Sequence, residues 1–120
     1  MKLALDDIGL KQQAEIFDQI ATEIGEKPVV VDSDDILANP EIVLREICYN
    51  IGFDFQTTML NWPKGGHKDD GAWASHWYKS VWESEGFAKP AASTSELSDE
   101  GSTLSNQALR YYEKLRERRI

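Results

Sequence analysis

The chain has 120 residues, of which 41% are hydrophobic, and this length favours one domain with a modest core over two domains. Its formal net charge of −8 argues against nucleic acid or anionic lipid as a main partner, because phosphate-rich surfaces require a basic face. Cys48 is the only cysteine, so no intrachain disulfide can form, and no apolar run is long enough to span a membrane. Together these features predict a cytoplasmic protein with no membrane contact.

The first third of the chain predicts one helix and one strand. Apolar residues at helical spacing predict an amphipathic helix over residues 7–24, ended by Gly25. The run Pro28-Val29-Val30-Val31 is β-branched and has no polar alternation, which predicts a short strand covered on both faces. Because a lone strand leaves its backbone groups without partners, we expect it to pair with another chain, an absent segment or an irregular stretch.

The middle of the chain predicts further helices. Ser33 can cap a short helical turn, and Asn39-Pro40 predicts the start of a longer helix that Gly52 ends. A short helix near residues 57–60 is followed by a loop over residues 62–66, which its proline and two glycines keep irregular.

A tryptophan-rich helix is predicted over residues 71–84. Trp73 and Trp77 share one face of this helix, and we expect them in the core, because such a stripe is more often core than a binding platform. Tyr78 and Trp82 lie beside that face. They are predicted to contact a partner, since the apolar sector is too wide for a small domain to cover.

The end of the chain predicts a linker and a last helix. Residues 88–103 are small, polar and aperiodic, which is typical of a flexible linker. Residues 104–120 are predicted to form a helix that belongs to the same domain as residues 1–87. The predicted fold class is therefore α-rich α/β, with four to five helices around one short strand.

The carboxylates after the valine run allow three interpretations. In a phosphoaspartyl phosphatase of the haloacid-dehalogenase type, Asp32 would be the nucleophile and Asp34 the acid, with Mg²⁺ holding both against a phosphate. In a nucleotide-sugar transferase, an Asp-x-Asp pair would bind Mn²⁺. Both enzymes need further parallel strands, which the sequence does not predict downstream. The third interpretation, which we adopt, is a turn in which Ser33 or Asp34 caps the next helix and no metal binds.

The longer order of motifs resembles the C-terminal half of bacterial sulfotransferase-like proteins, a branch of the nucleoside-triphosphatase-like (P-loop) α/β fold. The matching pieces are "GLKQQAEIFD", "PVVVDSDDILANPEIVLREICYNIGFDF", "MLNWPKGG", "DDGAWASHWYKSVWESEGF" and "YYEKLRERRI". The resemblance implies that the strand, the acidic turn and the Asn-Pro helix form a late element of that fold, followed by a loop and an aromatic helix.

The resemblance also implies a sulfate donor, 3′-phosphoadenylyl sulfate. The family binds the donor's 5′-phosphosulfate on a basic loop between the first strand and first helix, where backbone amides cradle the anion. No such loop precedes Ile8, and the family's earlier catalytic histidine or acid has no counterpart here. We therefore predict no catalytic residue. The leading hypothesis is a domain that is non-catalytic in isolation and acts in protein–protein association, as a homo-oligomer or with a partner that supplies the missing half of the sheet.

A second hypothesis is that the chain binds a 3′-phosphoadenosine nucleotide or is a subunit that completes a sulfotransferase. In related sulfotransferases a glycine-rich basic loop before a Gly-x-Trp-like segment touches the donor's 3′-phosphate, and Gly71 to Trp73 is similar to that segment. The neighbouring Asp69 and Asp70 would repel an anion. The resemblance implies these nucleotide-contacting residues: Lys64, Gly65, Gly66, His67 and Lys68.

Overall fold

The computed structural model describes residues 2–89 and 96–120. Their regular structure is almost entirely helical, which confirms the α-rich fold predicted from the sequence. The described residues form seven α-helices and one 3₁₀ turn: α1 (Leu5–Ile8), α2 (Leu10–Ile24), α3 (Ser33–Ala38), α4 (Pro40–Ile51), the 3₁₀ turn (Thr57–Met59), α5 (Ala74–Trp77), α6 (Lys79–Glu83) and α7 (Asp99–Arg116). None of these helices is long and apolar enough to cross a membrane.

The described residues pack as two compact units. The first contains residues 2–32 and 96–120, and the second contains residues 33–89. In the first unit the chain up to residue 32 packs with α7. Such a long-range pairing leaves no local signal in the sequence.

The core of the first unit lies between α2 and α7. Ala14, Phe17 and Leu115 form its buried cluster, against which Val30 and Tyr111 pack. The helix predicted over residues 7–24 is present but divided at Gly9, whose φ of 81° is a left-handed conformation that ends α1. Gly25 ends α2 as predicted, because its φ of 76° lets its amide donate to the Ala21 carbonyl at 3.0 Å.

The strand expected at Pro28–Val31, here called the valine segment, does not form. These residues have no helix, turn, bend or strand pairing. The Ile120 amide donates to the Val30 carbonyl at 3.0 Å, and the Tyr112 hydroxyl donates to the Asp32 carboxylate. The described residues provide no neighbouring strand, so the segment is attached to α7 and the residues after it.

Helix α7 begins earlier than the sequence indicated. Ser98 caps it by accepting a hydrogen bond from the Gly101 amide at 3.0 Å, with acidic residues in the first turn. Residues 99–103 are therefore helical, whereas the sequence predicted a linker over residues 88–103. Part of that predicted linker, residues 90–95, lies outside the described residues. Because residues 88–103 are small and polar, the helix cap at Ser98 was not recognised from the sequence.

In the second unit, α4 begins and ends where the sequence predicted. Pro40 occupies its first position and Gly52 ends it, while Val43 and Cys48 are its buried residues. The Cys48 thiol lies 3.9 Å from the Met59 sulfur, which is an ordinary packing contact of a buried cysteine.

The predicted tryptophan-rich helix is two short helices, α5 and α6, separated at Tyr78. Trp73 and Trp77 are 73% and 74% exposed, so their predicted core position is wrong. The buried residue of α5 is Ala74. Apolar residues on one face of a helix are buried only when another element packs along that face. Within the described residues α5 is too short to present such a face.

Candidate functional site

The predicted nucleotide-contacting residues lie on a loop of the second unit, residues 64–70, here called the lysine loop. Its base is fixed by Trp62, whose amide donates to the Glu85 carbonyl at 3.0 Å. The Trp62 indole N–H donates to the Ser84 hydroxyl at 2.8 Å, and its ring meets the Phe87 ring edge-on at 5.3 Å between centroids. The loop therefore starts from a packed, hydrogen-bonded base.

Trp82 holds the lysine loop from one side. The Gly65 amide donates to the Trp82 carbonyl at 2.7 Å, and the Trp82 indole N–H donates to Asp70 Oδ2 at 2.9 Å. A Cβ atom built at Gly66 would lie 3.0 Å from two atoms of the indole ring. A side chain at position 66 would therefore press on the indole ring, which would have to shift by a few tenths of an ångström.

Asp70 closes the loop from within. Its Oδ2 accepts a hydrogen bond from the His67 amide at 2.7 Å, and its own amide donates to the His67 carbonyl at 3.0 Å. The bond from the His67 amide, followed by the bond from the Trp82 indole, lowers the pKa of Asp70, and partial desolvation opposes this shift. Asp70, expected from the sequence only to repel an anion, thus has a structural role. We call the contacts among Gly65, His67, Asp70 and Trp82 the clasp.

The two lysines of the loop remain exposed. Neither Lys64 nor Lys68 makes a hydrogen bond or ion pair within the described part of the chain. His67 is exposed as well, and its Nδ1 accepts from the Asp69 amide at 3.2 Å and lies 3.3 Å from Asp69 Oδ2. The loop can offer an anion two ammonium groups, whereas the Gly65 and His67 amides already donate inside the clasp.

The residues predicted to contact a partner have different environments. Tyr78 is 42% exposed and lies between α5 and α6. Trp82 is only partly exposed, because it packs on the lysine loop. This packing could not be predicted from the sequence, since Trp82 and Asp70 are separated in the chain and no motif links them.

The acidic residues after the valine segment do not form a metal site in the residues described here, which contain no group of three or more potential His, Cys, Asp or Glu ligands. The Asp32 carboxylate accepts a hydrogen bond from the Tyr112 hydroxyl within the first unit. Asp34 lies in the first turn of α3, in the second unit. The geometry thus gives the phosphatase interpretation no support.

The valine segment is the second candidate site. Val30 packs against the core of its unit, whereas Val29 is 37% exposed and Val31 is half-buried. An apolar cleft of about 190 Å³ lies along the segment, lined by Ile16, Phe17 and other residues of α2 and by Leu115. Within the described residues, the β-branched segment is thus only partly covered.

Comparison with known proteins identifies the family. The family described as "Sulfotransferase domain" matches residues 2–119. This chain belongs to the sulfotransferase domain family. Two curated relatives from Arabidopsis thaliana, branched-chain-amino-acid aminotransferase-like proteins 1 and 2, are 39% and 33% identical over 84 residues. These residues are 70% of this chain and 15% of each relative, so the chain matches a small part of much longer proteins. No solved structure matches it.

The family implies 3′-phosphoadenylyl sulfate as donor, and the residues present fit it only in part. A phosphosulfate cradle needs several free backbone amides pointing at one anion. In the lysine loop the Gly65 and His67 amides are already used. Lys64 and Lys68 would suit a phosphate monoester, because ammonium groups bind such anions through charge-assisted hydrogen bonds.

Proposed function

We propose that this chain is the C-terminal part of a sulfotransferase domain, that it does not transfer sulfate alone, and that it acts by association. Its partner is the nucleotide-binding part of such a domain, meaning the segment that precedes the matched region in a full-length family member. This part belongs either to the same longer protein or to a second chain. A cytoplasmic location belongs to the same proposal.

The valine segment carries this proposal. Three β-branched residues follow one another, yet only the Val30 carbonyl has a backbone hydrogen bond within the described residues. Backbone N–H and C=O groups that are shielded from water without a hydrogen-bond partner cost free energy. Such groups beside apolar side chains therefore favour the addition of a strand that supplies the missing partners. The nucleotide-binding part of this family contains a β-sheet, and we propose that one of its strands lies beside the valine segment.

A sulfate-transfer assay tests the proposal. The chain alone, the nucleotide-binding part alone and their mixture would each receive ³⁵S-labelled 3′-phosphoadenylyl sulfate and the acceptor of the family member used. We expect no transfer by the chain alone and more transfer by the mixture than by the nucleotide-binding part. Transfer by the chain alone would refute the proposal, and so would a mixture no more active than the nucleotide-binding part.

A second candidate function is binding of a 3′-phosphoadenosine nucleotide through Lys64 and Lys68. The observation that favours it is a loop fixed by the clasp, with both ammonium groups exposed and without a carboxylate partner among the described residues. Its recognition would rest on side-chain charge rather than on backbone amides.

Titration with adenosine 3′,5′-bisphosphate tests this second function. Tryptophan emission is a suitable signal, because Trp62 and Trp82 pack at the lysine loop. We expect a saturable change that a Lys64→Ala/Lys68→Ala variant loses. A Lys79→Ala/Lys89→Ala variant is the matched control, since it removes equal charge from two other exposed positions of the unit. Equal losses in both variants would refute the assignment.

Two other activities are not proposed. The phosphatase alternative through Asp32 and Asp34 requires an Asp32 carboxylate free to attack phosphorus, and this carboxylate is engaged by Tyr112. Aminotransferase chemistry appears in the names of the two relatives, but the matched residues are only 15% of each.

A further inference from the structure

One residue outside the lysine loop, Trp82, holds the loop at both ends. Its backbone carbonyl accepts from the Gly65 amide at 2.7 Å, next to the first lysine of the loop. Its indole N–H donates to Asp70 Oδ2 at 2.9 Å, and the same oxygen accepts from the His67 amide at 2.7 Å, next to the second lysine. A residue adjacent to each lysine is therefore fixed by a bond of the clasp.

The backbone between the two lysines has little stiffness of its own. Gly65 and Gly66 lie there, and the φ of Gly65 is 112°, one of many conformations open to a glycine that nothing holds. Fixing such residues costs conformational entropy, either on folding or on ligand binding. The clasp fixes them within the fold itself, and preorganisation of this kind reduces the entropic cost of binding.

The clasp also determines what the Asp70 carboxylate contacts. Its Oδ2 accepts from two neutral N–H donors, and neither lysine of the loop forms an ion pair within the described part of the chain. Without the indole bond, this oxygen could accept from an ammonium group of the loop instead. A lysine paired in that way would be less available to an external anion.

We propose that Trp82 is a positioning residue for the two lysines: its indole bond to Asp70 fixes the loop beside Lys68 and occupies the carboxylate with a neutral donor. This inference rests on the proposed binding of a 3′-phosphoadenosine nucleotide and adds a residue to that site. The ligand group concerned is a phosphate monoester, which binds ammonium groups through charge-assisted hydrogen bonds. Trp82 acts through Asp70 and does not itself contact the phosphate.

Calorimetric titration with adenosine 3′,5′-bisphosphate tests the role of Trp82. Trp82→Phe keeps an aromatic ring and the backbone carbonyl but removes the indole N–H. We expect its dissociation constant to rise about 3- to 10-fold, the effect of one lost hydrogen bond. Trp77→Phe is the matched control, since Trp77 is 74% exposed and lies outside the clasp, and it should leave the constant nearly unchanged. An unchanged constant in Trp82→Phe, or equal rises in both variants, would overturn the proposal.

The same substitution in two lysine backgrounds separates positioning from a general loss of structure. The indole bond acts on the part of the loop beside Lys68. Trp82→Phe should therefore still weaken binding in the Lys64→Ala background and should have almost no further effect in the Lys68→Ala background. Equal losses in both backgrounds would overturn the positioning role and leave nucleotide binding intact. Absence of bisphosphate binding by the unchanged chain, or binding that neither lysine variant weakens, would overturn both.

Hydrogen exchange of the indole protons, measured by NMR on the unchanged chain, tests the proposal even if Trp82→Phe does not fold. The Trp82 indole proton is bonded to Asp70, whereas Trp77 is exposed. We expect the Trp82 proton to exchange at least about tenfold more slowly than that of Trp77. Equal exchange rates would show that the indole bond does not persist in solution, and they would overturn the proposal.

Discussion

Replacing Gly66 with alanine tests the clasp most sharply. The new Cβ would lie 3.0 Å from Cε2 and Nε1 of Trp82 and 3.3 Å from Cζ2, closer than an ordinary contact. The ring cannot retreat without loosening the indole bond to Asp70 at 2.9 Å, and the bond from the Gly65 amide to the Trp82 backbone carbonyl at 2.7 Å holds the loop close to it. Overpacking of this kind costs about 1–3 kcal/mol. We therefore expect Gly66→Ala to destabilise the second unit by about this amount.

Urea unfolding followed by tryptophan emission measures this effect in the right unit, because all four tryptophans lie within residues 33–89. With a urea dependence of about 1 kcal/mol per molar, the midpoint should fall by about 1 M or more. The control is the same substitution in a Trp82→Ala background, where the clash is absent and the cost should nearly vanish. An equal cost in both backgrounds would refute the clash with Trp82, since it would place the effect in the backbone of residue 66.

Three further predictions follow from single contacts. Because the pKa of Asp70 is lowered, its ionised form stabilises the fold above the ordinary carboxyl pKa, and this stability is lost as the pH falls through the lowered pKa. Asp70→Asn should therefore make the urea unfolding midpoint depend less on pH in the acid range. An unchanged pH dependence would contradict the clasp. Phe17→Ala should lower the free energy of unfolding of the first unit by about 3–5 kcal/mol, measured by circular dichroism, whereas Ile16→Ala at an exposed site should lower it far less. Equal losses would contradict the core position of Phe17. Ser98→Ala should lose about 0.5–2 kcal/mol by removing the cap of α7, while Ser105→Ala, inside the same helix, should not destabilise it.

The parts of the fold that the sequence predicted are those with local causes. Helix α4 was predicted with both ends because Pro40 suits a first helical turn and Gly52 adopts the left-handed conformation that ends a helix. Gly25 ends α2 for the same reason. These signals act within a few residues, so a single sequence contains them.

The parts that the sequence missed depend on distant contacts. The Val30 carbonyl is bonded by Ile120, and Asp70 is bonded by Trp82, and neither pair is linked by a motif. The exposure of Trp77 was missed because a helical stripe predicts burial only where another element packs along it. The lysine loop was found by resemblance, whereas the clasp that fixes its shape required the structure.

Sedimentation velocity of the chain, alone and with the nucleotide-binding part of a family member, measures directly whether the chain acts by association. A concentration series of the chain alone would reveal any self-association. We expect the mixture to form a faster-sedimenting complex of the two components at micromolar concentrations. Components that sediment independently up to high concentration would contradict the claim that this chain acts by completing a sulfotransferase domain.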